Sequence, residues 1–203
     1  MRGQGKNLKD LPLNRDWTLF LDRDGVINKK IENDYVRNWS QFEFIEGVIE
    51  ALKILRNIFG KIIIVTNQRG IGRGLMTEND LHEIHKNMLK VFELNGIHID
   101  RIYYCPHDYE KESCDCRKPN IGLALKAKEE FPEINFRKSI TVGDSLSDME
   151  FGKSLGMLTV YINQDCSNTP NIADFCFTSL YEFAKYLENL EKIRRCQLLA
   201  SMD

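Results

Sequence analysis

The chain is expected to fold as one α/β domain, with a mostly parallel sheet between two layers of helices. Three observations carry that expectation. Short β-rich runs alternate with runs at helical spacing, the pattern of repeated β–α–β crossovers. The run KIIIVT at 61–66 is apolar on consecutive positions, as suits a parallel strand covered on both faces. No linker-like stretch divides the 203 residues, a length that fits one domain.

The elements follow in order. Residues 1–16 are polar and read as a flexible leader, with a single domain over 17–203. WTLFLD (17–22) is a strand that ends in acid, and Gly47 to Ile58 places Val48, Leu52 and Leu55 at helical spacing. The second strand is 61–66. Thr77, with Asp80 three residues on, resembles a capping box for a helix from Glu78 to about Leu94. RIYYC (101–105) is a strand, Asn120 to Phe131 a helix, and SITVGD (139–144) a strand. A helix over Asp148–Leu155, a strand at 157–162, a short FCFT strand and a helix from Leu180 to about Leu199 complete the chain.

Composition excludes several functions. Lys plus Arg is 28 against 30 for Asp plus Glu, so no basic field supports general nucleic-acid binding. No apolar run reaches the ~18 residues of a membrane span. The start lacks the apolar segment of a signal peptide, which points to the cytoplasm. No long apolar heptad is visible, so a monomer is expected, with no membrane partner.

In a doubly wound sheet, ligands bind beyond the carboxyl ends of the strands. The first strand ends there in Asp22-Arg23-Asp24-Gly25. If the chain stays extended, Asp22 and Asp24 share a side. One carboxylate can attack phosphorus while its neighbour moves protons. The second strand ends in Thr66-Asn67-Gln68-Arg69-Gly70, where a hydroxyl and amides can hold phosphoryl oxygens. Gly70, Gly72 and Gly74 then suggest a flexible loop carrying Arg69 and Arg73. Asp144 and Asp148, four apart, stack on one face of a helical first turn. Four carboxylates at neighbouring strand ends call for a cation, and hard oxygen ligands favour Mg²⁺. Lys118 is the expected positive partner. Taken singly, each motif has a plainer reading: a surface turn, a glycine-rich loop, a helix cap, a solvated lysine.

Cys105, His107, Cys114 and Cys116 form C-x-H-x6-C-x-C, a closed tetrahedral set for a structural Zn²⁺. Cys166, Cys176 and Cys196 show no such spacing and read as ordinary thiols; His82 and His85 read as surface residues.

The strings FLDRDGVIN, FEFIEGVIEALK, VTNQRGIGRG, IYYCPH and CDCRKP resemble the haloacid dehalogenase superfamily, within it the histidinol-phosphatase and heptose-bisphosphatase branch. The resemblance covers about residues 17–180. It implies a Rossmann-like fold with no large cap domain and a zinc-bound loop. It implies Asp22 as nucleophile, Asp24 as general acid/base, and Thr66 and Lys118 as holders of the transferring phosphoryl group. Mg²⁺ would sit on Asp22, the backbone carbonyl of Asp24, and Asp144, with Asp148 in support. Asn28 and Tyr35 would contact a sugar. From the residues themselves, Asn67 and Gln68 are expected on the phosphoryl group, and Arg69 and Arg117 are expected to bind the phosphate that is not cleaved. The implied substrate is a phosphorylated sugar, a heptose bisphosphate, in nucleotide-heptose synthesis for lipopolysaccharide or surface glycans. Histidinol phosphate is the alternative substrate, and a zinc-stabilised binding protein without activity is the alternative class. The chain departs from the heptose pattern in its short zinc loop, in Arg69 where a small residue is usual, and in Ser145 where many have lysine.

Overall fold

The computed structural model describes residues 7–200 and lays six parallel strands in one sheet. They are β1 (Thr18–Leu21), β2 (Lys61–Asn67), β3 (Arg101–Cys105), β4 (Ser139–Gly143), β5 (Leu158–Ile162) and β6 (Phe175–Phe177). Their spatial order is β3-β2-β1-β4-β5-β6. The chain winds outward from β1 to β3, then crosses back to β4 on the other side of β1. The strand order therefore reverses between β1 and β4, and a crevice opens there at the carboxyl ends.

Alternation along the strands builds the three layers. Leu19 and Leu21 point to one face with Ile62, Ile64, Ile140 and Val142. That face is covered by α1 (Val48–Ile58), α6 (Leu180–Ala200) and the end of α3 (Glu78–Leu94). Phe20, Ile63 and Val65 point to the other face, against α4 (Gly122–Glu130) and α5 (Leu146–Ser154). The Rossmann-like three-layer expectation holds. The segments after β1 and β2 contain only a 3-10 turn at Trp39–Gln41, isolated bridges and a four-residue helix, so neither carries a large cap.

Local chemistry explains the boundaries. Thr77 caps α3 as expected: its hydroxyl accepts from Asp80 N at 3.1 Å, and Asp80 accepts from Thr77 N at 2.7 Å. Ser145 and Asp148 form the same box at α5, which therefore starts at Leu146 rather than Asp148. The expected glycine loop after β2 instead forms α2 (Arg69–Gly72), because Gln68 N and Gly72 N donate to Cys105 O and Pro106 O at 2.7 and 2.8 Å.

Three further expectations change. Residues 1–6 lie outside the described residues, but Asn7 caps a 3-10 turn at Leu8–Asp10, and Leu8 and Leu13 are buried in the core. Cys166 and Cys176, read as separate thiols, are joined in a disulfide, because the short β5–β6 crossover brings their Cα atoms to 5.7 Å. His85, read as a surface residue, is buried, for reasons given below. Among the described residues no helix is long and apolar enough to cross a membrane.

Phe151 is fully buried and meets the Phe20 ring edge-on at 6.4 Å between centroids. Phe151→Ala is expected to lower the unfolding free energy by about 3–5 kcal/mol in urea titration. A loss below about 1 kcal/mol would show that this face of the sheet closes over the cavity.

Candidate active site

Past β1 the chain keeps one more sheet contact, Asp22 N to Val142 O at 2.9 Å, and then turns. The Arg23 carbonyl accepts from Ile27 N and Asn28 N at 2.8 and 3.1 Å. Gly25 has φ +92°, and a Cβ there would lie 2.0 Å from Asp144 Oδ2. Only glycine meets both conditions.

The turn separates the two carboxylates. Asp22 points into the crevice and is 9% exposed. Asp24 is turned onto Arg23, whose Nη2 donates to both of its oxygens at 3.0 and 2.9 Å. Asn28 Nδ2 and Gln68 Nε2 donate to Asp24 at 2.9 and 2.8 Å. Burial pushes the Asp24 carboxyl up, and Arg23, Asn28 and Gln68 more than offset it, holding it below the usual carboxylate range.

Arg23 is fully buried. Its Nη1 donates to His85 Nε2 at 3.1 Å. α3 turns Leu81, Ile84, His85 and Met88 inward, a stripe at i, i+3, i+4 and i+7, while His82 stays exposed and bonds the Tyr104 hydroxyl. Burial, then the neighbouring guanidinium, push His85 down to about 3. Its imidazole is therefore neutral and able to accept.

Lys118 reaches the crevice from the loop before α4 and is buried. Its Nζ meets Asp22 Oδ1 at 2.9 Å, Asp148 Oδ1 at 2.5 Å and Val65 O at 2.6 Å. Burial lowers its pKa, but the Asp148 and Asp22 carboxylates outweigh that and raise it. Gly143 lets Asp148 fold back so far, since a Cβ there would lie 2.2 Å from that of Asp148. The Asn67 side chain, expected on the phosphoryl group, instead grips the Lys118 backbone: Oδ1 accepts from its N at 3.0 Å and Nδ2 donates to its O at 3.2 Å. The Thr66 hydroxyl is buried and accepts from Gln68 Nε2 at 2.9 Å.

Burial pushes the Asp22 carboxyl up to about 7, with Lys118 pulling it down and Asp148, Asp144 and Asp24 pushing it further up. An ionised Asp22 at neutral pH therefore calls for more positive charge. Asp144 Oδ1 is buried without a hydrogen-bond partner, while Oδ2 meets the Lys30 ammonium. Ligand oxygens of Asp22, Asp144 and Asp148 lie within 4.8 Å of one another. An orphaned acceptor among hard oxygen donors fits Mg²⁺.

Beside this centre, Cys105, His107, Cys114 and Cys116 also converge within 4.8 Å, with His107 Nδ1 3.0 Å from Cys116 Sγ. Three sulfurs and one imidazole are compatible with tetrahedral zinc. The enclosed loop raises Tyr109 between two guanidinium groups: Arg69 lies 4.0 Å and Arg117 4.7 Å from its ring centroid. Their hydrogen-bonding differs. Arg69 is tied to Asp108 and Glu110, each at 2.6 Å. Arg117 Nη1 is buried without a partner. A groove of about 520 Å³ runs past Tyr109, Ser113, Arg117, Lys118, Asn120 and Ser147. Tyr35 stands apart from it, half-buried against Gly70. Asn28 is buried beneath Asp24. At the opposite end of the sheet a cavity of about 390 Å³ has its lysines paired, Lys61 with Glu133 and Lys138 with Asp16.

Sequence reasoning missed Arg23, His85, Lys30 and Tyr109. The inward stripe of α3 was a signal for His85; no local pattern marks the other three.

Comparison with known proteins gives four findings. Residues 16–184 match the family model described as polynucleotide kinase 3 phosphatase. The D-glycero-alpha-D-manno-heptose-1,7-bisphosphate 7-phosphatase of Mycobacterium tuberculosis is 42% identical over 171 residues, 83% of this chain and 90% of that protein. The D-glycero-beta-D-manno-heptose-1,7-bisphosphate 7-phosphatase of Vibrio cholerae is 42% identical over 147 residues, 70% of this chain and 77% of that protein. The solved structure of D,D-heptose 1.7-bisphosphate phosphatase from B. bronchiseptica, complexed with magnesium and phosphate, superposes with a TM-score of 0.75 at 25% identity. It covers 85% of this chain and 98% of that one.

The depressed His85 pKa has a sign that can be checked. Below pH 6.5 the unfolded chain takes up a proton that folded His85 refuses until about 3, so this contribution to stability is complete above pH 6.5 and falls as the pH drops. His85→Gln is expected to remove about 3 kcal/mol of the stability lost between neutrality and pH ~4, measured by urea unfolding across pH. Parallel curves for the two proteins would refute the assignment.

Proposed function

The chain belongs to the family described as polynucleotide kinase 3 phosphatase and to the D-glycero-D-manno-heptose-1,7-bisphosphate 7-phosphatases, and from that premise we propose that it removes the 7-phosphate of a heptose 1,7-bisphosphate through an aspartyl-phosphate on Asp22. The observation that carries a bisphosphate is Arg117. Its buried, unpartnered Nη1 belongs to a residue lining the same groove as Lys118, offering a second anion seat beside the first.

Asp24, held ionised by Arg23, Asn28 and Gln68, must first take up a proton from solvent; Asp22 then attacks phosphorus, and the bond from phosphorus to the sugar oxygen breaks as Asp24 gives that oxygen this proton. Water then attacks phosphorus while Asp24 takes its proton, and the bond to Asp22 breaks to release phosphate. Lys118 and the Thr66 hydroxyl hold the phosphoryl oxygens. Held at Asp22, the Asp24 backbone carbonyl and Asp144, Mg²⁺ would offset charge on the transferring group. Asp24 would contribute its carbonyl, because its side chain is committed to Arg23. Cys105, His107, Cys114 and Cys116 would hold a structural zinc that fixes the loop leading to Lys118. Arg69, already neutralised by Asp108 and Glu110, supports Tyr109 beneath Arg117, and Arg117 takes the uncleaved phosphate. Asn28 acts through Asp24, and Tyr35 remains the candidate sugar contact.

Two other substrates stand beside this one. Histidinol phosphate carries an ammonium group that an unpaired guanidinium repels. A 3′-phosphorylated nucleic acid matches the family description, but a formal charge of −2 gives little attraction for a polyanion. The product would feed nucleotide-heptose synthesis for lipopolysaccharide or surface glycans.

Phosphate release with Mg²⁺ is the first test, comparing both heptose bisphosphate anomers, histidinol phosphate and a 3′-phosphorylated oligonucleotide. One heptose anomer is expected to give the highest kcat/KM; a higher value for either other substrate overturns the proposal. Asp22→Asn is expected to cut turnover by more than about 10³-fold with an unchanged circular dichroism spectrum. Retained turnover would remove Asp22 as nucleophile. Arg117→Ala is expected to raise KM about 10- to 100-fold for the bisphosphate and leave KM for the 7-monophosphate unchanged. Equal changes for both would deny it the second phosphate.

A further inference from the structure

We infer that His85 and Arg23 form a positioning clamp for Asp24, set beneath the site, through which α3 fixes the group that protonates the leaving oxygen. The inference rests on the phosphatase reading above and adds His85, which that reading does not use.

The clamp follows from where the Arg23 donors go. Arg23 is fully buried; its Nε has no partner, and its side-chain hydrogen bonds all come from Nη1 and Nη2. Nη2 serves both oxygens of Asp24 and, at 3.2 Å, Gln68 Oε1. Nη1 meets His85 Nε2 at 3.1 Å. A guanidinium is planar and rigid, so fixing Nη1 fixes the direction of Nη2. The His85 ring is itself held by the Tyr104 ring, 6.1 Å away between centroids at 62°. Gln68 closes the network, since its Nε2 donates to Asp24 and also to the Thr66 hydroxyl. One continuous set of contacts therefore runs from α3 to the Asp24 carboxyl and on to Thr66.

Arg23 reaches the chemistry through Asp24, which it grips with two hydrogen bonds, and more remotely through Gln68 and Thr66, which makes it and His85 positioning residues. Proton transfer by Asp24 is effective only when its oxygen is within hydrogen-bond reach of the leaving oxygen. In the first step the Asp22–phosphorus bond forms, the phosphorus–oxygen ester bond breaks, and a proton that Asp24 has taken up from solvent goes to the departing oxygen, leaving Asp24 ionised and paired with Arg23 again. A sugar alkoxide needs that proton. An aryl oxide such as p-nitrophenolate leaves without it. kcat/KM reports events up to this first irreversible cleavage, so it isolates the acid role of Asp24 from its later role with water.

The experiment compares kcat/KM for the alkyl ester, heptose 1,7-bisphosphate, with that for p-nitrophenyl phosphate in wild type, His85→Leu and His85→Gln, each checked for folding by circular dichroism. His85→Leu removes the acceptor and is expected to lower kcat/KM about 10- to 100-fold for the sugar ester but less than about 3-fold for the aryl ester. His85→Gln keeps an acceptor and is expected to restore most of the loss. An equal loss on both esters, no loss on either, a failure of Gln to rescue, or a variant that does not fold even with Gln overturns the clamp. Wild type that releases phosphate from neither ester overturns the phosphatase reading, and the clamp with it.

Discussion

Crowded negative charge is the constraint on which the rest of the site depends. Asp22, Asp24, Asp144 and Asp148 approach the crevice between β1 and β4, where little water reaches them. Two like charges about 4 Å apart repel by about 4 kcal/mol at an effective dielectric near 20. The fold answers by dividing the carboxylates. Asp24 is matched to Arg23 and Asp148 to Lys118. Asp22 and Asp144 are left less fully matched, and these two face phosphorus and a cation in the proposed reaction. The local backbone follows from the same constraint. The turn at Gly25 admits Asp144, and Gly143 admits Asp148, so the approach of the acids dictates where side chains are absent.

The cysteine-rich loop solves a different problem. It leaves β3 with few buried apolar side chains of its own, yet it must deliver Lys118 to a buried position. It is held from outside by α2, through Gly72 N to Pro106 O and Arg69 to Asp108. From within it is gathered by the Cys105, His107, Cys114 and Cys116 cluster. At its far end the Asn67 amide pairs with the Lys118 backbone much as a neighbouring strand would. Arg69 and Arg117 share one aromatic ring but not one role, because only Arg69 has acidic partners.

The parallel sheet and its helices were legible because strand and helix periods are local properties, and because each carboxylate motif follows directly on an apolar run. The cysteine–histidine cluster was legible for the same reason, its ligands lying close in sequence. What escaped was set by contacts between distant segments. Arg23 sits between two aspartates and drew no attention, yet its burial against α3 decides where Asp24 points. His85 occupies a core position of α3, but its polar type outweighed the spacing. The Arg69 charge looked available until Asp108 and Glu110, some forty residues on, were placed beside it. Asn67 looked like a ligand for phosphate and proves to be a ligand for backbone. The Cys166–Cys176 pair depends on how a crossover folds back, which spacing alone does not specify.

The missing cap has a consequence for timing. Many enzymes that must keep water from a reactive centre do so by closing a lid, and the opening of that lid then limits the cycle. Here the segments after β1 and β2 are too short to form a moving domain, so no hinge stands between encounter and reaction. In the proposed reaction the substrate itself must displace water from the crevice and from the groove beside Arg117. For that reaction the segments after β1 and β2 offer no large moving domain whose opening could set the tempo.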